Sequence, residues 1–524
     1  MRDRSDSESD SADSVNPYQA PGNGAASPER AAQRPELPGE GLATACPLSW
    51  PEQQRNIILF ACCTGLQYLA APVLYVGITQ ASLCDRLGAD ARMSNLPGTL
   101  YFAMTAMPAL IAWLSPGASV LKRNLCLCYA ITAAMLGVMA GTLLLPVSDS
   151  FRIAMVVIQG GVSGAVMPAA IAFLWEAIGR GSDEARRGLA LSLAFGVGPL
   201  LAVLGSLGQT ALLGGNIFGL HFDGLPYPTN FVVLFGAGVP VMLMAAGCSL
   251  FLMVPAETEE QQRDPVSSVI GLLAGLPLMC LSIALIAVAG SGNTLTTSLI
   301  GYGAAALAAV AFVYHFRSLL TQRVLLLATL VTILVYSGNV IPSNMNLYSA
   351  DALGDLPEKY SGVQNMLRFG FKVVAGLLLG LLLTKTNPRA GILATSTIFL
   401  TAQVWAIFVT GPWYLVAFGI HGAGELVGVY APNYIVSASR RQELRRNMAF
   451  VTMLMVPAAP AGYLYGWIVD SVRESGTTML GLTGAALGYR LSFCVCGLLI
   501  LSGILLAVTM LPGRPAVHDT SDKS

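Results

Sequence analysis

Charged residues are scarce in this chain. Asp, Glu, Lys and Arg together make up 11% of its 524 residues, whereas soluble globular domains carry about 25%. Hydrophobic residues make up 54%. This balance excludes a water-soluble domain and predicts an all-α polytopic membrane protein. Since the formal net charge is zero, we expect no nucleic-acid partner.

The sequence motifs of several other classes of protein are missing too. The chain contains no G-x-x-x-x-G-K-[ST] and no H-E-x-x-H, which disfavours an ATP-driven pump and a zinc protease. Its ten cysteines follow neither a metal-binding spacing nor the disulfide framework of a secreted protein. No pair of nucleophile and base is evident. We therefore expect a protein that is not an enzyme and that needs no metal and no cofactor.

Long apolar runs dominate the sequence between two polar tails. Residues 1–54 lack an apolar run that could serve as a signal peptide, and they are predicted to form a disordered cytoplasmic tail. Residues 512–524 are predicted to form a second cytoplasmic tail. Runs of about 20 apolar residues predict fourteen membrane spans. The spans are 57–80, 95–114, 124–146, 152–178, 187–211, 230–254, 266–289, 296–316, 323–342, 361–384, 389–410, 412–437, 446–470 and 485–511.

The basic residues beside these spans predict their orientation. One set of alternate loops carries sixteen Lys and Arg, while the opposite set carries six. Because positively charged loops stay in the cytoplasm, the first set is predicted to be cytoplasmic. An even number of spans then places both termini in the cytoplasm. We expect a multi-pass protein of the cell (inner) membrane, in contact with lipid and monomeric.

The ionisable residues that lie deep inside predicted spans, away from the span ends, are in the second half of the chain. Arg368 and Lys372 are four residues apart, so they project from one helix face, and His421 and Glu425 share the same spacing in another span. At about 1.5 Å per residue from the outer ends, Lys372 lies about 16 Å deep, His421 about 14 Å and Glu425 about 20 Å. We therefore expect that Lys372, His421 and Glu425 can meet within one helical turn, and that all four side chains face a cavity instead of lipid.

Two interpretations of this cluster stay open. In the first, Lys372 and Glu425 form a buried pair that only fixes helix packing. In the second, the cluster binds substrate, and Glu425 is also the proton-coupling residue. Four further polar residues are candidates for substrate binding, although each is also typical of a hydrogen bond between helices. They are Gln67, Tyr68, Gln159 and Asn339.

An internal repeat relates the two ends of the chain. The pattern E-x-R-R-x-x-A occurs after the fourth span, at 184–190, and again after the twelfth span, at 443–449. The shift of 259 residues between the two copies also brings the starts of the first five spans near those of spans nine to thirteen. The chain is therefore predicted to contain two parallel six-helix bundles, at 55–256 and 321–511. A linker at 257–320 carries two inserted helices.

Six plus six spans with cytoplasmic termini and basic loops resemble the major facilitator superfamily. The inserted pair resembles the fourteen-helix branch of that superfamily, known for drug:proton antiporters. The resemblance implies gate or loop roles on the cytoplasmic face for ten residues. They are Lys122, Arg123, Glu184, Arg186, Arg187, Lys385, Arg389, Glu443, Arg445 and Arg446. The antiporter motif of the fifth span is represented by Gly198 and Pro199.

The sequence thus favours a secondary active transporter that moves a small organic solute by alternating access, coupled to protons. Ionised Arg368, Lys372 and Glu425 would give the site a net charge of plus one. That charge favours an anion or an amphipathic acid over a cation. One alternative is multidrug or lipophilic cation efflux by proton antiport. Another is a membrane receptor or scaffold that does not transport.

Overall fold

The computed structural model of the chain describes residues 48–115, 117–217, 220–255, 269–290, 295–320, 322–438, 453, 455–479 and 481–513. Most of the two predicted tails, the polar stretch 257–265 and the second E-x-R-R motif, with Glu443, Arg445 and Arg446, lie outside the described residues.

The described residues of the first half form nine α-helices and one hairpin. The helices are α1 (Trp50–Leu69), α2 (Ala71–Leu74), α3 (Ile78–Arg86), α4 (Ala91–Ala103), α5 (Met107–Leu114), α6 (Ala118–Leu144), α7 (Asp149–Gly181), α8 (Glu184–Leu213) and α9 (Thr229–Leu250). Strands β1 (Gly215–Ile217) and β2 (Leu220–Phe222) pair antiparallel between α8 and α9.

Two inserted helices and the second half follow. The inserted pair is α10 (Ile270–Gly290) and α11 (Leu295–Leu320). The second half contains α12 (Arg323–Tyr336), α13 (Pro342–Leu353), α14 (Pro357–Lys385), α15 (Pro388–Phe408), α16 (Val416–Gly424), α17 (Val427–Ser437), α18 (Pro460–Ser475) and α19 (Gly484–Met510). Strands β3 (Thr478–Met479) and β4 (Leu482–Thr483) pair antiparallel between α18 and α19.

The two halves repeat each other in their irregular features. Each half begins with a membrane-length helix that breaks, between α2 and α3 in the first half and between α12 and α13 in the second. Each also carries a two-stranded hairpin between its last two long helices. At the first break Gly77 has φ of +151°, which glycine adopts without strain because it has no Cβ. The fold is therefore an all-α polytopic fold of two related bundles.

Three boundaries differ from the sequence prediction. The first helix begins at Trp50, inside the predicted tail, because the Ser49 amide donates to the Glu52 carboxylate at 2.7 Å and caps the helix there. The first span continues to Arg86 instead of ending at residue 80, and the first span of the second half continues to Leu353 instead of 342. Both spans were predicted too short because the polar residues that follow residues 80 and 342 are buried between the halves instead of lying in loops.

Nine helices of the described residues are long and apolar enough to cross a membrane. Ile270–Ile286 adds a shorter apolar stretch, and breaks divide several other predicted spans. The described residues confirm a multi-pass helical membrane protein, while fourteen spans remain a prediction.

The inserted helices pack mainly on each other. A Cβ on Gly271 of α10 would lie 2.6 Å from the Ala311 carbonyl oxygen of α11, so the two backbones touch at this point. The first half of α10 also packs against the first bundle, where Leu272 and Leu276 join a buried cluster with Ala106. Side chains of α11 such as Leu307 are exposed.

Close contact between α4 and α7 positions the helices that border the centre of the first bundle. A Cβ added to Gly164 of α7 would collide with the Tyr101 carbonyl of α4, and one added to Gly160 would collide with the Pro97 carbonyl. Glycine at these positions lets the two backbones approach.

Replacement of Gly164 by alanine is expected to lower the melting temperature of the purified protein. The new methyl group must push α4 from α7, and overpacking of this kind costs about 1–3 kcal/mol. The matched control is Gly141→Ala on α6, where a Cβ meets nothing within 4 Å. The control should keep or raise the melting temperature, since alanine favours helices. Equal effects of the two substitutions would contradict the packing argument.

Candidate functional site

One carboxylate holds the centre of the second bundle together. Glu425 lies between two cations of α14. The Arg368 Nε and Nη2 atoms lie 2.6 Å and 2.5 Å from Oε1, and the Lys372 Nζ lies 2.5 Å from Oε2. The Glu425 side chain is 8% exposed, and that of Lys372 is 20% exposed. The structure thus brings these three predicted site residues into direct contact, with the lysine on the more accessible side.

His421 lies behind this ion cluster. Its imidazole is fully buried, and its Nε2 atom is 3.5 Å from Glu425 Oε1, which is too long for a good hydrogen bond. Among the described residues, neither ring nitrogen has a hydrogen-bond partner, and the same holds for Arg368 Nη1. Phe399 of α15 packs against the imidazole, with ring centroids 4.9 Å apart. The site therefore retains unused donor capacity beside an already engaged carboxylate.

Glycines around His421 explain how two helices approach closely enough to pair these charges. A Cβ on Gly422 of α16 would collide with the Arg368 carbonyl of α14, and a Cβ on Gly419 would lie 2.8 Å from the Phe371 ring. Gly419 and Gly422, three residues apart, thus allow α14 to pack directly against α16. This contact places the Arg368 and Lys372 side chains within reach of Glu425.

The helix that carries Glu425 is interrupted at the site. Helix α16 ends at Gly424 and α17 begins at Val427, so Glu425 lies at the junction. Its amide still donates to the His421 carbonyl at 3.0 Å. Broken helices are tolerated in membranes where they border protein or a cavity instead of lipid. The interruption is therefore consistent with a site inside the bundle.

Aromatic rings of the first half border the cluster from the other side. The Phe369 ring, next to Arg368 in α14, lies 6.2 Å from the Tyr68 ring and 6.0 Å from the Tyr75 ring, measured between centroids. The Lys372 ammonium lies 5.5 Å from the Phe369 centroid, in cation–π range. Tyr68 is thus brought close to the ion cluster, as its candidate role requires.

The other polar candidates have partners elsewhere or lie apart. Gln67 donates to the Tyr129 hydroxyl of α6. Gln159 donates to the Val73 carbonyl at 3.2 Å and to Ser163. Asn339 is 9% exposed and lies in the break between α12 and α13. The Gln67 side chain is therefore used in a hydrogen bond between helices, and the Gln159 side chain connects α7 to α2.

Two of the basic loop residues, Arg186 and Arg389, hold helices together within their own half. Arg186 donates to Gln53 of α1 at 3.1 Å and stacks over the Trp50 ring. Arg389 donates to the Leu511 carbonyl at 2.8 Å, beside the end of α19. Lys122 is half-buried and Arg123 exposed near the start of α6. The positions of Glu184, Arg187 and Lys385 fall in helix ends, but their side chains lie outside the described set.

A band of buried polar contacts joins the two halves at the end of the bundle opposite to the described termini. We call it the seam. It consists of three hydrogen-bonded sets, namely Ser82 with Asn346, Asn95 with Asn344, and Gln209 with Ser361 and Asn365. Two further contacts between the halves lie nearby, from the Ala91 amide to Asp470 and from the Ser343 hydroxyl to the Gly77 carbonyl at the first-helix break. The halves are therefore closed together on this side.

The sequence predicted neither the seam nor the buried acid beside it, Asp470 of α18. The Asp470 side chain is fully buried and accepts hydrogen bonds from the Ala91 and Arg92 amides at 3.1 Å and 2.9 Å, while the Arg92 Nε lies 3.1 Å away. The available signal was the concentration of amide side chains near the ends of the predicted spans, such as Asn344 and Asn346.

Comparisons with known proteins support the fold only. No family model matches the chain, and no curated protein matches it. A crystal structure of a mutant of the nucleoside transporter NupG has a TM-score of 0.60 at 9% identity, covering 86% of this chain and 99% of that one. A crystal structure of the POT family transporter PepTSo has a TM-score of 0.59 at 14% identity, covering 88% of this chain and 98% of that one. The chain therefore has the fold of major facilitator type transporters.

Substitutions at the cluster should show strong energetic coupling. Glu425→Gln leaves two buried cations without their carboxylate, and removal of one partner of a buried pair costs about 3–5 kcal/mol. Lys372→Gln should cost less, because Arg368 still holds the carboxylate. We expect the double variant Lys372→Gln/Glu425→Gln to be less destabilised than the sum of the singles, by about 1–3 kcal/mol in unfolding experiments.

The exposed pair of Lys359 and Asp355 is the matched control for this cycle. It is likewise a direct contact between a lysine and a carboxylate, at 2.8 Å, but it lies within one helix at i, i+4 spacing and both side chains are more than 40% exposed. Such pairs contribute about 0–1 kcal/mol. If the effects at Lys372 and Glu425 add, with a coupling energy no larger than that of the control pair, the cluster is not coupled as described.

Proposed function

We propose that the protein is a proton-coupled secondary transporter of a small organic anion, working by alternating access. The observation that carries this proposal is the engagement of the single Glu425 carboxylate by both Arg368 and Lys372. The two cations already hold a carboxylate in the arrangement that a carboxylate solute would need. The substrate is therefore expected to compete with Glu425 for the same donors.

This competition supplies the coupling to protons. With all three groups ionised the cluster carries two positive charges and one negative charge. When Glu425 takes up a proton, its hold on the cations weakens and the cluster charge rises from plus one to plus two. An anion then binds to Arg368 and Lys372 in place of the lost carboxylate charge. Proton and anion thus bind together, which is the basis of cotransport.

The surroundings of the cluster favour an amphipathic acid. Phe369, Tyr68 and Tyr75 form an apolar wall directly beside Arg368. A solute whose carboxylate pairs with the cations would lay its apolar part against these rings. The free Nη1 donor of Arg368, buried and without a partner among the described residues, adds a further hydrogen bond for such a solute.

The seam supports alternating access. We propose that both termini lie in the cytoplasm of a cell with the protein in its inner membrane, so that the seam faces the outside. The structure would then represent a state closed to the outside. Two further parts of this proposal are that the bundles span residues 55–256 and 321–511, and that the protein acts as a monomer.

Cation or drug export by proton antiport is the second candidate. It is favoured by the inserted pair α10 and α11, which resembles the fourteen-helix branch of the superfamily. In this alternative Glu425 must be the dominant charge, with Arg368 and Lys372 turned away from it. Both cations contact Glu425 in the structure, which favours the anion.

Transport by reconstituted variants tests the first proposal. We expect Arg368→Gln and Lys372→Gln each to reduce uptake of organic acids into proteoliposomes by roughly tenfold or more, since each removes a charge-assisted hydrogen bond of about 1.5–3 kcal/mol. Glu425→Gln should abolish accumulation driven by a pH gradient, because it has no carboxylate to protonate. A pH-sensitive dye inside the vesicles reports the proton movement.

Lys359→Gln is the control variant, because Lys359 lies on the same helix but pairs with Asp355 at the surface. It should transport like the wild type. If both cation variants keep full anion uptake while Glu425→Gln loses cation export, the antiporter proposal replaces ours. Binding of organic acids without any flux would instead favour a receptor.

A cross-link in the seam tests alternating access separately. Ser82 and Asn346 belong to different halves and contact each other at 2.7 Å. In a background without reactive cysteines, oxidation of the Ser82→Cys/Asn346→Cys variant should stop transport, and reduction should restore it. Asn346→Cys/Gln364→Cys is the control, because its contact at 2.7 Å lies within one half. Undiminished transport by the cross-linked seam variant would exclude rocking of the halves at this position.

A further inference from the structure

A cavity of about 950 Å³ lies between the first bundle and the inserted helix α10, away from the ion cluster. We call it the lateral groove. Its walls come from α4, α7 and α10 and are mainly apolar. They include Met93, Leu100, Ile158, Val162 and Ile283. A cavity of this size would hold about 30 water molecules at ~30 Å³ each, but water needs polar partners, and the lining side chains offer these only at the end with Asp90 and Ser150.

The groove exists because α10 leaves the first bundle part-way along its length. Near its start, Leu272 and Leu276 pack into a buried cluster with Ala106. Further along, the Cys280 Sγ lies 3.5 Å from the Met104 Sδ. Beyond it, Ile283 and Ala284 face the groove instead of α4. The groove is therefore a wedge between α10 and the first bundle, on the seam side of these contacts.

The dimensions of the groove match a lipid chain. Its lining on α7 runs from Ser150 to Val166, which is about 24 Å along a helix. One leaflet of the hydrocarbon core is about 15 Å deep, half of about 30 Å. An acyl chain of the seam-side leaflet can therefore lie lengthwise in the groove, with its headgroup at the end formed by Gly88, Ala89, Asp90 and Ser150.

The apolar walls alone would not select an occupant, because a lipid tail is as apolar as the walls. Selection must come from the polar end. There Asp90 lines the groove and is 27% exposed, with Oδ1 accepting from the Met93 amide at 2.8 Å. Its Oδ2 atom lies 3.5 Å from Arg92, at the limit of a hydrogen bond, and can accept another donor.

The charge at this end is negative on balance. Asp90, Asp470 and Glu474 supply three negative charges, while Arg92 and Arg473 supply two positive charges. The difference is minus one. An anionic headgroup would be repelled there, while a primary ammonium would be attracted and would donate a hydrogen bond to Asp90.

We propose that the lateral groove binds an amine-bearing phospholipid, such as phosphatidylethanolamine. Its acyl chain fills the wedge between α10 and the first bundle, and its ammonium group donates to Asp90. The lipid thereby completes the packing of the inserted helices on the rest of the protein. This site is independent of the ion cluster and of the identity of the transported solute.

Native mass spectrometry of the full-length protein in lipid nanodiscs tests the proposal. Nanodiscs contain phosphatidylethanolamine mixed with phosphatidylcholine or with phosphatidylglycerol. Phosphatidylcholine is the matched lipid control, because its quaternary ammonium has the same charge but no N–H donor. We expect the wild type to retain phosphatidylethanolamine roughly tenfold more strongly than either competitor, as a charge-assisted hydrogen bond predicts.

Two variants locate the bound lipid. Asp90→Asn keeps the cap of α4, since asparagine caps helices as well as aspartate, and it should lose the preference for the amine. Ala284→Trp fills the groove and should lose the retained lipid, while Leu281→Trp on the exposed face of α10 should keep it. Thermal unfolding of all variants checks that they are folded.

Other outcomes would overturn the proposal. Equal retention of the three lipids by the wild type would show that Asp90 does not select an amine. Preferential retention of phosphatidylglycerol would assign the groove to an anionic lipid instead. Unchanged retention by folded Ala284→Trp would place the bound lipid elsewhere on the protein.

Discussion

The ion cluster at Glu425 is the constraint on which much of the second bundle depends. An ionised carboxylate inside the membrane is stable only if cations reach it, and α14 supplies both, at 2.5 Å and 2.6 Å. To bring them there, α14 must touch α16, which requires glycine at positions 419 and 422. The remaining unit of positive charge needs water or an anion beside it. Packing, charge and access to a cavity are thus linked at one residue.

The two halves contribute differently to the site. Both cations and the carboxylate come from the second half, so they can remain together when the halves move. The first half contributes Tyr68 and Tyr75, whose rings contact Phe369. Contact between the halves beside the site is thus aromatic and uncharged. A bound solute that touches both the cations and these rings would connect the halves, which allows its presence to bias their relative position.

The sequence predicts the parts of this structure that depend on local pattern. Apolar runs place the helices, and the spacing of Arg368 and Lys372 predicts their shared face. The pairing of Asn95 with Asn344 was not predictable, because those residues are 249 positions apart and the contact has no local signal. The hydropathy pattern also gave a wrong span end here, because the polar residues Asn344 and Asn346 lie beyond the predicted end at residue 342 but are buried. The lateral groove depends on where α10 leaves α4, which periodicity does not encode.

The polar character of the seam fits a contact that must open. Each buried hydrogen bond contributes only about 0.5–1.5 kcal/mol net, because the same groups bond to water when exposed. An apolar seam of similar area would oppose opening by about 25 cal/mol for every Å² exposed. The side chains of Asn95, Gln209 and Asn344 can therefore replace the hydrogen bonds of the seam by hydrogen bonds to water at a modest cost in free energy. In alternating access, each end of the protein must close in a defined geometry and must also open again. Contacts that are specific but contribute little net free energy meet both requirements.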